Sequence, residues 1–189
     1  ALIDLSKETF TDDFIHQIDQ IIRPEELDYV IVNHMEPDHS GALLRLRNLA
    51  PQAKIIGMRK AIDMVKDFYG ITENVEVLAN GQTLSLGEHT LQFFHIPMVH
   101  WPETMATYDI ENKVLFSCDA FGGYGALDGG IFDDAYADLR FYETEALRYY
   151  TNIVAAFSKS VISAIEKLKD LPIEIVAPSH GLVWRKDPM

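Results

Sequence analysis

The segment from Asp28 to His39, DYVIVNHMEPDH, decides both the fold class and the chemistry of this chain. Its first half is a continuous apolar run, which is typical of a strand buried on both faces within a covered sheet. Its second half places four potential metal ligands within six residues: His34, Glu36, Asp38 and His39. A loop at the end of a strand can bring these side chains together. The alternative is a polar loop that uses them only as caps.

Around this segment the chain alternates between extended and helical patterns. Residues 2–3 predict a short strand, and apolar residues recur at helical spacing over residues 12–22, with Thr11 as the N-cap, and over residues 40–49. A strand is predicted over residues 54–58, followed by a helix over residues 59–69 that Gly70 ends. The first part of the chain therefore follows a β-α-β-α order.

The remainder of the chain is rich in short strands. They are predicted over residues 75–78, 83–86, 90–96, 106–110 and 113–117, separated by turn signals such as Asn80-Gly81. Residues 121–130, FGGYGALDGG, contain five glycines and predict a loop, which we interpret as a flap beside the candidate site. A helix over residues 143–169, broken near residues 158–160, and a strand over residues 173–177 complete the pattern.

The composition is that of an ordinary folded domain, and we expect residues 1–189 to form one domain. Hydrophobic residues make up 48% of the chain and charged residues 24%. The net charge of −13 disfavours nucleic acid and anionic membranes as partners. Cys118 is the single cysteine, which excludes an internal disulfide and favours the reducing cytoplasm. The sequence shows neither an apolar run of membrane-spanning length nor a signal peptide.

Three further candidate ligands each follow a predicted strand. His100 comes after the strand at residues 90–96, Asp119 after residues 113–117, and His180 after residues 173–177. Open α/β architectures generally place their sites at the carboxyl ends of strands. Imidazole and carboxylate donors without a thiolate suit iron, manganese or zinc. The seven residues together therefore predict a two-metal site.

Other polar residues receive structural interpretations. His16, His89 and His95 are expected to be surface or packing histidines, and Cys118 a small buried apolar residue. The acidic residues Asp128, Asp133 and Asp134 predict a solvated loop face, with contact to a ligating histidine as the alternative.

The order and spacing of the candidate ligands resemble those of the metallo-β-lactamase-like domain of flavodiiron proteins. The matching strings are Asn33-His34, Glu36-Pro37-Asp38-His39-Ser40-Gly41, His100-Trp101-Pro102, Asp119-Ala120-Phe121-Gly122 and Ser179-His180-Gly181. The resemblance covers essentially the whole chain. It implies an α/β fold of the αββα sandwich class that lacks its first strands, within a chain truncated at both ends.

The resemblance also implies how the metals are held. His34, Glu36 and His100 would bind one iron, and Asp38, His39 and His180 the other. Asp119 would bridge the two, together with an oxo or hydroxo group.

The activity implied by the resemblance is reduction of O2 to water, of NO to N2O, or of both. The electrons would come from FMN in a flavodoxin-like domain, which we expect to be missing from these residues, so that this segment alone binds no FMN. The implied partners are a rubredoxin-type or other electron donor and a second subunit in a head-to-tail homodimer.

Glu36 discriminates between two chemistries. Relatives in the wider hydrolase superfamily usually carry His-x-His-x-Asp-His, in which a histidine stands where this chain has Glu36. An anionic oxygen donor stabilises ferric iron and lowers its reduction potential, which favours redox chemistry. The alternatives are a binuclear zinc hydrolase and a non-catalytic redox or oxygen sensor.

Two aromatic residues are candidates for the pocket. Trp101 is expected to line or shield the site, with an ordinary core tryptophan as the alternative. Tyr124, in the glycine-rich loop, is expected to donate a hydrogen bond to a metal-bound oxygen.

Overall fold

The computed structural model describes residues 1–127, 129–136, 138–186 and 188. Asp128 of the predicted acidic run therefore lies outside the described residues. The chain divides into two compact units, residues 1–80 and residues 81–189, and each contains one sheet. Each unit also has its own hydrophobic core.

The first unit contains a parallel sheet whose spatial order follows the chain. Its strands are β1 (Leu2–Ile3), β2 (Tyr29–Val32), β3 (Lys54–Gly57) and β4 (Val75–Val77). Its helices are α1 (Thr11–Asp19), α2 (Pro37–Ser40), α3 (Leu43–Leu49) and α4 (Arg59–Tyr69), with 3₁₀ turns at Glu8–Phe10 and Pro24–Glu26. Val30, Val32 and Ile55 of the sheet pack in one core with Leu46 and Val65 of the helices. The two central strands, β2 and β3, are mostly buried, as expected of apolar strands inside a parallel sheet, and the outer strands β1 and β4 are half-buried.

Three details of this unit differ from the sequence prediction. Thr11 is the first residue of α1 and not its N-cap, because its hydroxyl donates to the carbonyl oxygen of Glu8 at 2.7 Å. The helix ends at Asp19 instead of residue 22. The helix predicted over residues 40–49 is divided into α2 and α3, because the Ala42 N–H donates to Ser6 O at 3.0 Å and leaves the helical ladder.

The second unit contains a five-stranded mixed sheet. Its strands are β5 (Thr83–Ser85), β6 (Thr90–His95), β7 (Met105–Asp109), β8 (Val114–Cys118) and β9 (Ile175–Pro178), again in chain order. Neighbours are antiparallel except for β8 and β9, which are parallel. Two helices, α5 (Leu139–Tyr149) and α6 (Ser158–Leu168), complete the unit. Tyr108, Leu115 and Val176 of the sheet share a core with Val154 and Leu168.

Two predicted elements differ here as well. The strand predicted over residues 75–78 belongs to the sheet of the first unit and not to the strand-rich remainder of the chain. As β4 it pairs in parallel with β3, as a strand that follows a crossover helix does. The long helix begins at Leu139 and passes through a π-helical turn at Tyr150–Val154 and a 3₁₀ turn at Ala155–Phe157. Its irregularity therefore precedes residues 158–160. None of the described helices combines the length and the apolar composition that a membrane span requires.

Candidate metal centre

In the first unit, β2 and α2 position four candidate ligands. His34 follows β2 and is fully buried, and its Nε2 lies 3.4 Å from a carboxylate oxygen of Glu36. Pro37 begins α2 and is compatible with the first turn of a helix because that turn needs no N–H donor from it. The helix then carries Asp38 and His39, and the His39 Nε2 lies 3.8 Å from Asp38 Oδ2. The imidazole rings of His34 and His39 are 4.9 Å apart between centroids.

Asp4 is a residue of this site that the sequence analysis missed. Its Oδ1 accepts hydrogen bonds from the Asn33 N–H at 2.7 Å and the His34 N–H at 3.3 Å. Its Oδ2 lies 3.6 Å from the Nδ1 of His39. The signal was available in principle, since Asp4 follows β1 and the parallel partner strand β2 leads to His34. A lone acidic residue after a two-residue strand did not stand out.

The position of Asp4 favours one tautomer of His39, the one in which Nε2 can act as a metal ligand. A carboxylate beside Nδ1 favours the tautomer with its proton on Nδ1, so that Nε2 carries the lone pair. The backbone is held as well, because the Leu5 N–H donates to the His39 carbonyl oxygen at 2.8 Å. The hydroxyl of Ser40, directly after His39, donates to Met35 O at 2.9 Å and thus links the two ends of the segment that carries the candidate ligands.

In the second unit, Asp119 faces two histidines with different oxygens. Asp119 Oδ2 lies 3.0 Å from the Nε2 of His100, and Asp119 Oδ1 lies 3.3 Å from the Nε2 of His180. Asp119 follows β8 and is only 1% exposed. A carboxylate that presents one oxygen to each of two imidazoles has the arrangement required of a ligand that bridges two cations. The donor set of this unit therefore fits a pair of metal ions.

The loop that carries His100 is closed by local hydrogen bonds. The Met98 N–H donates to Trp101 O at 2.7 Å, and the Thr104 hydroxyl donates to the same oxygen at 2.9 Å. Trp101 is half-buried, and its ring lies 6.1 Å from that of His100. These contacts place Trp101 beside a candidate ligand.

His180 lies in the loop after β9, and Tyr149 packs near it. Their ring centroids are 6.0 Å apart, and the ring of Tyr124 meets Tyr149 edge-on at 5.0 Å. The Arg148 guanidinium covers the Tyr124 ring at 4.7 Å from its centroid. Tyr124 is thus connected to the His180 region through Tyr149, a buried residue that the sequence analysis did not select.

The remaining polar residues occupy other environments. The Nε2 of His16 lies 3.0 Å from the side-chain nitrogen of Gln20, and the Nδ1 of His89 lies 3.3 Å from Asp109 Oδ2. Cys118 is buried, as predicted. Asp133 is also buried, so its prediction as part of a solvated face was wrong. Its Oδ1 accepts from the Arg185 N–H at 2.9 Å, which compensates for burial.

The sequence of this chain matches the model of one known protein family. The model of the ODP family beta lactamase matches residues 1–181. The chain belongs to this family.

This ODP chain is similar in sequence to curated proteins along its whole length. It is 39% identical over 191 residues to a nitric oxide reductase of Moorella thermoacetica, a match that covers 100% of this chain and 47% of the relative. Two solved structures are also similar. The first is the rubredoxin oxygen:oxidoreductase of Desulfovibrio gigas, with a TM-score of 0.92 and 31% identity, and the match covers 97% of this chain and 46% of that one. The second is the flavodiiron protein of Giardia intestinalis, with a TM-score of 0.93 and 29% identity, and the match covers 98% of this chain and 45% of that one.

These likenesses confirm the resemblance to flavodiiron proteins. The predicted class, mixed α and β with two sheets in a metallo-β-lactamase-like fold, is confirmed too. The ODP chain spans about half the length of the relatives it matches.

Proposed function

We propose that this chain is the di-iron domain of a non-haem oxidoreductase that reduces O2 to water, NO to N2O, or both. The observation that supports it most directly is Asp119, a buried carboxylate with one oxygen directed at each of two histidines. The names of the relatives, nitric oxide reductase and rubredoxin oxygen:oxidoreductase, favour redox chemistry over hydrolysis.

The ligands are proposed to form two sets. His34, Glu36 and His100 would bind one iron, Asp38, His39 and His180 the other, and Asp119 would bridge the two. The close pairs within each unit support this division. His34 is near Glu36, His39 is near Asp38, and each oxygen of Asp119 faces one of the two remaining histidines.

When bound, two iron ions supply paired one-electron changes to a small substrate. The residues of this chain orient the metals and control the surroundings. Burial of His34 and Asp119 keeps bulk water away from these donors, and Glu36 adds negative charge that favours the ferric state. Trp101 is proposed to shield the pocket, and Tyr124 to provide a hydroxyl donor at its edge.

The partners follow from the same proposal. Electrons would arrive from FMN in a flavodoxin-like domain, supplied by a rubredoxin-type or other donor, within a head-to-tail homodimer. The length of the relatives, about twice that of this chain, supports the presence of a further domain in the whole protein. The proposed compartment is the cytoplasm, consistent with the use of a single cysteine.

Metal analysis after anaerobic purification tests the proposal. We expect on the order of two iron ions per chain, as a two-metal site requires. Zinc at that stoichiometry together with hydrolytic activity would identify a hydrolase instead. If iron is found, O2 and NO consumption with a reduced flavin separates a reductase from a sensor, because a sensor would show no sustained turnover.

A further inference from the structure

Tyr142 of α5 contacts the loop that carries His180. Its hydroxyl oxygen accepts a hydrogen bond from the Leu182 N–H at 2.8 Å, and Tyr142 is only 1% exposed. Burial also raises the pKa of Tyr142, so that its phenol stays neutral to a higher pH than that of an exposed tyrosine. Leu182 is fully buried, which makes an acceptor for its N–H important.

The same hydroxyl packs against two glycines. A β-carbon on Gly181, which has a φ of +84°, would overlap the Tyr142 hydroxyl, and a β-carbon on Gly123 would lie 2.5 Å from it. Only glycine therefore fits at these two positions while Tyr142 keeps its place. The tyrosine thus contacts both the His180 loop and the glycine-rich loop.

The two loops are also joined directly beside His180. The Gly123 N–H donates to the His180 carbonyl oxygen at 3.2 Å, and the Ser179 N–H donates to Cys118 O at 2.8 Å. Beyond the loop, Trp184 pairs with Val176 of β9. The backbone on both sides of His180 is consequently held, with Tyr142 at the centre of the turn.

We propose that Tyr142 is a positioning residue for His180. Its hydroxyl holds the turn at Gly181-Leu182 and thereby directs the His180 imidazole toward Asp119. The metal-binding consequence rests on the proposed di-iron function, whereas the orientation of the ring does not. Residues that orient a ligand typically change metal affinity by about 10- to 100-fold when they are altered.

The test compares Tyr142→Phe with Tyr108→Phe in the full chain. Tyr108 is a matched control because it is 2% exposed and its hydroxyl donates to Pro172 O at 3.1 Å. In chelator competition, Tyr142→Phe should lower the affinity for one of the two Fe(II) ions by about 10-fold or more. Tyr108→Phe should leave the affinity for both ions unchanged. Mössbauer spectra should show one altered iron environment. Lower thermal stability with both iron affinities and both environments unchanged would overturn the proposal.

A second measurement uses the metal-free protein. NMR should detect contacts between the rings of Tyr149 and His180 in the wild type and in Tyr108→Phe, and weaker contacts in Tyr142→Phe. Unchanged ring contacts in Tyr142→Phe would overturn the positioning role even if the chain binds no iron. If the wild type binds no metal pair while the ring contacts are weakened in Tyr142→Phe, only the proposed function is contradicted.

Discussion

The Nδ1 of His39 lies 3.6 Å from Oδ2 of Asp4, and the other oxygen of that carboxylate accepts from the Asn33 and His34 N–H groups. Asp4, directly after β1, therefore contacts both ends of the segment from Asn33 to His39, which carries four candidate ligands. Because it is 7% exposed, these contacts are made largely away from water. Its role in the proposed site is to orient His39 and support the backbone at His34.

Asp4→Ala should reduce both stability and metal binding. The buried N–H groups of Asn33 and His34 would lose their acceptor, at a cost of about 1–3 kcal/mol in the free energy of unfolding. Metal affinity should fall by about 10- to 100-fold. Urea denaturation of the metal-free protein and chelator competition measure the two effects. Asp63→Ala, at an exposed position in the middle of α4, is the control and should change neither.

Asp119→Asn should impair the binding of both metals. An amide offers one oxygen and no negative charge, so it replaces the proposed bridge poorly. We expect the iron content to fall from on the order of two per chain to one or fewer. Asp109→Asn is the matched control, because Asp109 is also buried in the second unit and pairs with His89. Full iron content in Asp119→Asn would contradict the bridging role.

Glu36→His tests the residue that distinguishes the proposed reductase from the hydrolases. Replacing an anionic oxygen donor by a neutral imidazole should raise the reduction potential of the iron pair and favour zinc binding. Redox titration followed by EPR measures the potential, and competition between iron and zinc measures the preference. A potential and a preference equal to those of the wild type would show that Glu36 does not tune the metals.

Alkaline pH should destabilise the protein through its buried tyrosines. Burial raises the pKa of both Tyr108 and Tyr142 in the folded state. Their stabilising contribution is therefore complete below the unfolded pKa of about 10 and is lost as pH rises toward the folded value. Each can contribute a slope of up to about 1.4 kcal/mol per pH unit in that window. Denaturation at pH 9–11 should show a shallower decline in Tyr142→Phe than in the wild type; equal slopes would contradict the prediction.

The placement of the candidate ligands after strands could be predicted from sequence, because local patterns determine where a strand ends. The apolar run before Asn33 forms β2, and the polar donors that follow it leave the sheet together. His100, Asp119 and His180 likewise follow strands, and the structure places both histidines of this group beside Asp119. Strand ends are readable from hydrophobic pattern, since apolar residues inside a sheet give way to polar ones at its edge.

Only the tertiary structure determined the contacts between residues that are distant along the chain. Asp4 meets His39 because β1 and β2 pair in parallel, and Tyr142 meets Leu182 because α5 packs beside the loop after β9. The split between α2 and α3 has the same origin, since Ser6 takes the Ala42 hydrogen bond. Sequence by itself determined which residues carry donor atoms. Packing determined which neighbours orient them, because hydrogen-bond partners depend on distance in space and not on spacing in the chain.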